Sequence, residues 1–254
     1  MGVSIGTDVH EIDHPLDLLV LAGGFGTRLQ STISRVPKAL APVGGAPFLH
    51  LQIEQWIDQG IKSFVFLLHH QAGLVVDFLR ELERTGLLSG CKVRCLVEPT
   101  PLDTGGAVAY AVEQLALKQD FLVTNADTWL GSGIQEIARE RAPAMAVVRL
   151  TDTSRYGCVQ FDLQNCVTSF TEKNIMNKGT GWINAGLCKL DAKSFIGRDR
   201  SPFSLERDIF PAMVARGELK VVALQTDFVD IGVPDDYHRF CRWIESNRKG
   251  DLWT

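Results

Sequence analysis

No stretch of the 254-residue chain reaches the ~18 consecutive apolar residues of a membrane span, so a spanning helix is not expected. Basic residues are in short supply: 26 Lys and Arg stand against 30 Asp and Glu, for a net charge of -4. A broad nucleic-acid surface needs clustered cations to neutralise phosphates, and this balance argues against one. The six cysteines, Cys91, Cys95, Cys158, Cys166, Cys188 and Cys241, include no C-x-x-C pair, and no second Cys or His pair stands where it would complete a zinc site with Cys91 and Cys95. They lie mostly in apolar runs and read as buried thiols of a reducing compartment. Met1 to Pro15 lacks the basic start and apolar segment of a secretion signal, which points to the cytoplasm. Two nucleotide signatures are missing as well. The dinucleotide fingerprint would need glycine where Leu29 stands, and the P-loop would need Gly-Lys-Ser/Thr where Gly26 is followed by Thr27 and Arg28.

What is present is an alternation of short apolar runs and amphipathic segments. Residues 1–16 show no periodicity and read as a loosely ordered extension. From Asp17, Leu18 to Ala22 form a strand that ends in a glycine-rich turn. Phe48 to Gln59 place Leu49, Ile53, Trp56 and Ile57 on one helical face, with Gly60 at the C-terminal cap position. Ser63 to Leu68 read as a strand, Leu74 to Leu82 as a helix, Val93 to Val97 as a strand, Gly105 to Leu117 as a helix and Phe121 to Thr124 as a strand. This order predicts a Rossmann-like α/β fold, with a mostly parallel mixed sheet and helices on both faces. After about residue 143 strands dominate: 144–150, 157–162, 167–171 and 182–190. A helix near Leu205 to Arg216, a strand pair within Val221 to Ile231 and a closing helix from Pro234 to about Asn247 follow. No linker or repeat interrupts the chain, so 17–254 reads as one domain, with 17–142 binding nucleotide and 143–254 forming a strand-rich extension.

Ligands of such sheets bind beyond the carboxyl ends of the strands, where both the glycine turn and Asn125-Ala126-Asp127 fall. Three glycines among Gly23 to Gly26 let the backbone turn its N–H groups around an anion. Gly23-Gly24-Phe25-Gly26-Thr27-Arg28-Leu29, followed by Pro37-Lys38 and Leu40-Ala41-Pro42-Val43, resembles the sugar-phosphate nucleotidyltransferase family, whose signature is G-G-x-G-T-R-L and then P-K-x-L-x-P-V. Glu98-Pro99, Leu102-Asp103-Thr104-Gly105-Gly106-Ala107, Asn125-Ala126-Asp127, Arg155-Tyr156-Gly157, Glu172-Lys173, Asn184-Ala185-Gly186, Phe203 to Asp208 and Phe228 to Tyr237 match further family segments in order. The family usually has glycine where Ala126 stands and threonine where Val233 stands. Asp235 and Asp236 read as first-turn acids of the last helix.

The resemblance implies a nucleotide-diphospho-sugar transferase fold and a set of roles. Leu21, Ala22, Gly23, Gly24, Gly26, Thr27, Glu98, Thr104, Gly105, Gly106 and Asp127 would bind nucleotide, with Thr104 also a candidate helix cap. Tyr156, Gly157, Glu172, Lys173, Asn184 and Glu206 would bind the sugar phosphate, and Asp127 and Asp230 would hold Mg²⁺. Arg28, Lys38, Asp127 and Lys173 would be catalytic. Within the family the chain is most similar to the short bacterial D-glycero-D-manno-heptose 1-phosphate guanylyltransferases, which implies GTP and a manno-configured sugar 1-phosphate as substrates and pyrophosphate as product. A uridylyl- or thymidylyltransferase and a non-catalytic regulatory subunit of the same fold are the alternatives, and a homo-oligomer is left open. His69, His70 and Trp182 receive no role beyond packing.

Overall fold

The computed structural model describes residues 16–29, 33, 36–171, 179–198 and 201–251. The proposed extension therefore lies outside the described residues apart from Leu16.

The first strand, β1 (Leu18–Leu21), is entirely apolar, as a strand buried on both faces must be. A short hairpin, β2 (Pro42–Val43) and β3 (Ala46–Pro47), leads into α1 (Phe48–Asp58). Gly60, at φ 95°, ends α1: its backbone N–H bonds Ile57 O and that of Ile61 bonds Trp56 O. Next come β4 (Ser63–Leu68), α2 (Ala72–Thr85), β5 (Lys92–Val97), α3 (Asp103–Gln114) and β6 (Asp120–Asn125). In α2 the buried residues Val75, Leu79 and Leu82 share one face, and Gly86 closes it at φ 87°. These four strands pair in parallel in the order β6-β1-β4-β5, with Leu21 level with both Leu67 and Asn125.

The chain then runs through β7 (Thr128–Leu130), α4 (Ile134–Arg139), β8 (Ala144–Leu150), β9 (Cys158–Phe161), β10 (Val167–Thr171) and β11 (Gly181–Asp191). A π-helical turn, Leu205–Ile209, passes into α5 (Phe210–Ala215), and β12 (Lys220–Leu224), β13 (Phe228–Asp230) and α6 (Pro234–Asp251) follow. Strand β11 runs antiparallel to β6, β8 and β9, which joins the later strands to the parallel core in one nine-stranded sheet. The two strands read within 221–231 do not pair with each other. Strand β12 lies parallel to β8, whereas β13 leaves the sheet to pair with β7, putting Asp230 opposite Thr128.

Alternate residues of the parallel strands enter different cores. Leu18, Val20, Phe64 and Phe66 meet α1, α2 and α4 on one face; Leu19, Val65 and Leu67 meet α3 and α5 on the other. A third, smaller core gathers Leu29, Ala41, Val43, Phe48, Trp129, Ile231 and Phe240 beneath α6. It anchors the segments that flank Lys38, Asp127 and Asp230. The cysteines depart from expectation: Cys188 alone is buried and the other five are half-buried, because several lie near the sheet's outer strands, where one side has no cover.

Phe240 is fully buried, its ring 5.1 Å from Phe48 and 5.2 Å from Trp129. Phe240→Ala is expected to cost about 3–5 kcal/mol, measured by urea unfolding.

Candidate functional site

The parallel register lays the ends of β1 and β6 side by side, and the chain after each strand builds one wall of a cleft. Ala22 N–H continues the sheet pattern onto Leu67 O at 2.9 Å, after which the glycine loop leaves the sheet. Gly23 is tightly enclosed: a Cβ there would stand 3.1 Å from Glu98 Oε1 and 3.2 Å from His69 N, so those neighbours would have to give. Gly26 adopts φ 60° against the Lys38 side chain, the conformation glycine takes at least cost. On the other wall, Ala126 N–H bonds Leu21 O at 3.1 Å and Ile231 N–H bonds Asp127 O at 3.0 Å. Three distant parts of the sequence are thereby fixed at one rim.

Lys38 lies between the two aspartates. Its Nζ is 2.6 Å from Asp127 Oδ2 and 3.4 Å from Asp230 Oδ1. Asp230 Oδ1 also accepts the Gly232 backbone N–H at 2.7 Å, and the Thr128 hydroxyl donates to Asp127 Oδ1 at 3.3 Å. Gly232 stands close behind this pair: a Cβ there would come within 2.7 Å of both Lys38 Nζ and Asp230 Oδ1, and those side-chain ends would have to shift. Burial, and then the negative charge of Asp127, push the Asp230 carboxyl above its ordinary range, against the opposing pull of Lys38. Two carboxylates sharing one cation form a site short of positive charge. Among the described residues no group of three or more His, Cys, Asp or Glu could hold a metal. The Asp127 and Asp230 pair nonetheless suits a hard cation that takes its remaining ligands from water and phosphate oxygens.

Two adjoining cavities share Leu21, Gly24 and Asp127. The smaller, about 180 Å³, is lined by Leu21, Ala22, Gly24, Gly26, Thr27, Arg28, Lys38, Asp127 and Gly232 among others. The larger, about 540 Å³, has Gly23, Phe25, Glu98, Asp103, Thr104, Asn125 and Glu206 in its walls. Burial raises the Glu98 carboxyl above its ordinary range, although the Leu102 backbone N–H donates to Glu98 Oε2 at 2.9 Å.

Thr104 is not a helix cap. Helix α3 begins at Asp103, so Thr104 lies in its first turn, where its hydroxyl donates to Glu206 Oε2 at 2.8 Å and accepts the Leu205 backbone N–H at 2.9 Å. Gly105 and Gly106 both donate their backbone N–H to Phe203 O, and a Cβ on Gly105 would enter the Phe203 ring at 2.4 Å. Their bareness admits Phe203, and neither lines the two cavities. Glu206 lies with Thr104 and Glu98, whereas Tyr156, Gly157 and Asn184 form a separate group outside those walls. Asn184 N–H bonds Gly157 O at 3.0 Å, and Asn184 Oδ1 accepts Gly186 N–H at 3.0 Å. Glu172 and Lys173 lie outside the described residues.

Several contributors carry weaker sequence signals. Asp103 holds φ 60°, unusual for a residue with a side chain, while its carboxylate bonds Arg207 at 2.5 Å. Phe25 packs against the rings of His69 and His70, at 6.0 and 5.0 Å. Trp182 packs edge-on to Phe161 at 5.6 Å.

A carboxyl whose pKa is raised on folding favours the folded state most when protonated. Its contribution is complete below the unfolded value and is lost as pH rises through the folded one. Glu98→Gln, which retains an oxygen for the Leu102 N–H, is therefore expected to stabilise the chain relative to wild type at neutral pH. The gain should shrink toward zero as pH falls to the unfolded carboxyl range, read by urea unfolding across that interval.

The nucleotidyl transferase family model matches residues 18–247. The D-glycero-alpha-D-manno-heptose 1-phosphate guanylyltransferase of Campylobacter jejuni is 32% identical over 89% of this chain and 98% of its own length. A probable mannose-1-phosphate guanylyltransferase of Oryza sativa is 31% identical over 91% of this chain, which spans 65% of that longer protein. The solved structure of HddC from Yersinia pseudotuberculosis complexed with GMP-PN is similar at TM-score 0.75 and 30% identity, over 90% of this chain and 99% of the other. With the glycine loop, Lys38 and the two aspartates assembled at one rim, and this match running nearly end to end, the chain belongs to the nucleotidyl transferase family.

Proposed function

We propose that the protein transfers a nucleotidyl group from a nucleoside triphosphate, GTP by preference, to a sugar 1-phosphate, releasing pyrophosphate. The observation that carries this reading is that Lys38 and Asp127 line one cavity with the glycine loop and Arg28, and that Lys38 also pairs with Asp230. A heptose of D-glycero-alpha-D-manno configuration, or mannose, is the favoured acceptor sugar, supported by what the C. jejuni and O. sativa relatives are named for. The charged side chains in the wall of the larger cavity, Glu98, Asp103, Asp127 and Glu206, are all acids. Guanine is the base that presents two adjacent donors, N1–H and the N2 amino group, to such acceptors, and HddC was solved with a guanine nucleotide analogue.

In the proposed reaction a phosphate oxygen of the sugar 1-phosphate attacks the α-phosphorus in line. A new O–P bond forms as the bond to the β-phosphate oxygen breaks, and pyrophosphate takes the electron pair. No strong base is required, because a phosphate monoester with a second pKa of ~6 is already ionised at neutral pH. The protein supplies positioning and charge. Backbone N–H groups of the glycine loop and the Arg28 guanidinium hold the triphosphate, and Lys38 meets the charge that develops on the leaving group. Asp127 and Asp230 would hold Mg²⁺, which when bound neutralises phosphate charge and draws the two phosphates together. Glu172 and Lys173 complete the proposed acceptor side, with Lys173 orienting the sugar phosphate, and residues 143–254 are its proposed share of the domain.

Four triphosphates assayed against several hexose and heptose 1-phosphates, scored by released pyrophosphate, test the reading. The expected maximum is GTP with a manno-configured acceptor, and absence of turnover for every pair overturns it. Lys38→Ala is expected to lower turnover by about 10²–10³, the cost of removing one charge donor from the transition state. Asp127→Asn should abolish activity or weaken its magnesium dependence, and an unchanged magnesium titration would remove Asp127 from the metal site.

A further inference from the structure

Helix α6 opens Pro234-Asp235-Asp236, and an acid there needs only the helix dipole and solvent to be stable. Asp236 is nevertheless only 6% exposed. Burying a carboxylate is costly unless it is paired, so its partners indicate what the burial achieves. Arg155 Nη2 contacts Asp236 Oδ2, and Arg239 Nη2 lies 3.2 Å from Asp236 Oδ1. The same Arg155 nitrogen donates to the Tyr156 hydroxyl at 3.1 Å, with the guanidinium carbon 5.4 Å from the centre of that ring. Tyr156 in turn stands edge-on to Phe228, centroids 5.4 Å apart and planes at 74°. Phe228 opens β13, the strand that ends at Asp230. Beyond Tyr156 the chain is held from the other side by Asn184 N–H on Gly157 O.

These contacts form an unbroken path from the first turn of α6 through Arg155 and Tyr156 to the strand of Asp230. Asp236 and Arg155 are not among the residues in the walls of either cavity, and their contacts run to one another, to Arg239 and to Tyr156. We propose that Asp236 and Arg155 are positioning residues that clamp the Tyr156-Gly157 turn against β13, setting the distance between the sugar-phosphate side of the site and Asp230. The inference rests on the functional reading above, which takes that turn as the acceptor side and Asp230 as a metal ligand. Arginine suits the task because its Nη2 carries two N–H groups, which reach the Asp236 carboxylate and the Tyr156 hydroxyl together while the guanidinium stays close to the Tyr156 ring.

Steady-state kinetics with GTP and a heptose or mannose 1-phosphate test the clamp. Asp236→Asn and Arg155→Ala should each raise KM for the sugar phosphate about tenfold, the effect of a displaced acceptor, while KM for GTP stays within about twofold. The double variant should be no worse than the more affected single, because both substitutions break one link. Arg155→Lys, which keeps the Asp236 contact, should recover part of the loss. Should either of the first two variants fail to fold, Tyr156→Phe severs the hydroxyl link alone and is read by the same split. Unchanged constants, an equal rise in both KM values or full additivity would overturn the clamp. An inactive wild-type chain would instead remove the functional reading and this inference with it, so the two failures are told apart.

Discussion

A single ammonium group balances two carboxylates at the rim of the sheet, and the surrounding architecture keeps those three charges within reach of one another. Lys38 follows the glycine loop, Asp127 ends a central strand and Asp230 arrives from nearly two hundred residues later in a strand outside the main sheet. Two acids face one ammonium in a half-buried place, and burial together with the Asp127 charge pushes the Asp230 carboxyl above its ordinary range. The small aromatic core of Phe48, Trp129 and Phe240 offsets it by anchoring the β7-β13 pair and α6 from behind. A charge arrangement unfavourable by itself is thus held where a bound cation would relieve it, as sites that trade stability for activity commonly do.

Much of the frame was legible because its signals are local. Ser63–Leu68 and Ala144–Leu150 are continuous apolar runs of strand length, and α1 ends where Gly60 permits the left-handed turn. The common rim of the glycine loop and Asp127 followed from strand order alone, through the rule that parallel strands point their carboxyl ends the same way. Pairing was harder to read, since it is decided by partners far away in sequence. Nothing within Val221 to Ile231 reveals that its first strand joins β8 while its second turns to β7. Thr104 looked like a cap because the helix start was placed two residues late; α3 opens at Asp103, whose φ of 60° is a conformation that side chains rarely take. Asp236 carried the signature of a solvated helix acid, and its burial depends on Arg155, eighty-one positions away.

The start of α3 shows how glycine can serve its neighbours as much as a ligand. Phe203 lies against Gly105 where any side chain would collide, and its carbonyl accepts two backbone N–H groups from the start of α3. The Thr104 hydroxyl then joins Leu205 and Glu206, and the Ser204 hydroxyl donates to Glu206 Oε2 at 2.8 Å. Phe203, Leu205 and Glu206 are thus stitched to Thr104, Gly105 and Gly106, which pre-sets the Glu206 carboxylate without requiring it to order when substrate arrives.

Strand β11 bridges the architecture: it pairs with β6 at one end, with β9 at the other and with β8 along both, and its register with β8 shifts between Asn184 and Cys188, around Gly186 at φ 75°. A hinged enzyme opens by swinging lobes about a flexible connection, but here the lobes are woven through a shared ribbon whose backbone bonds would have to rupture. Parting the described strands would break those bonds, and the register shift beside Gly186 is the point where the ribbon's ladder is already interrupted.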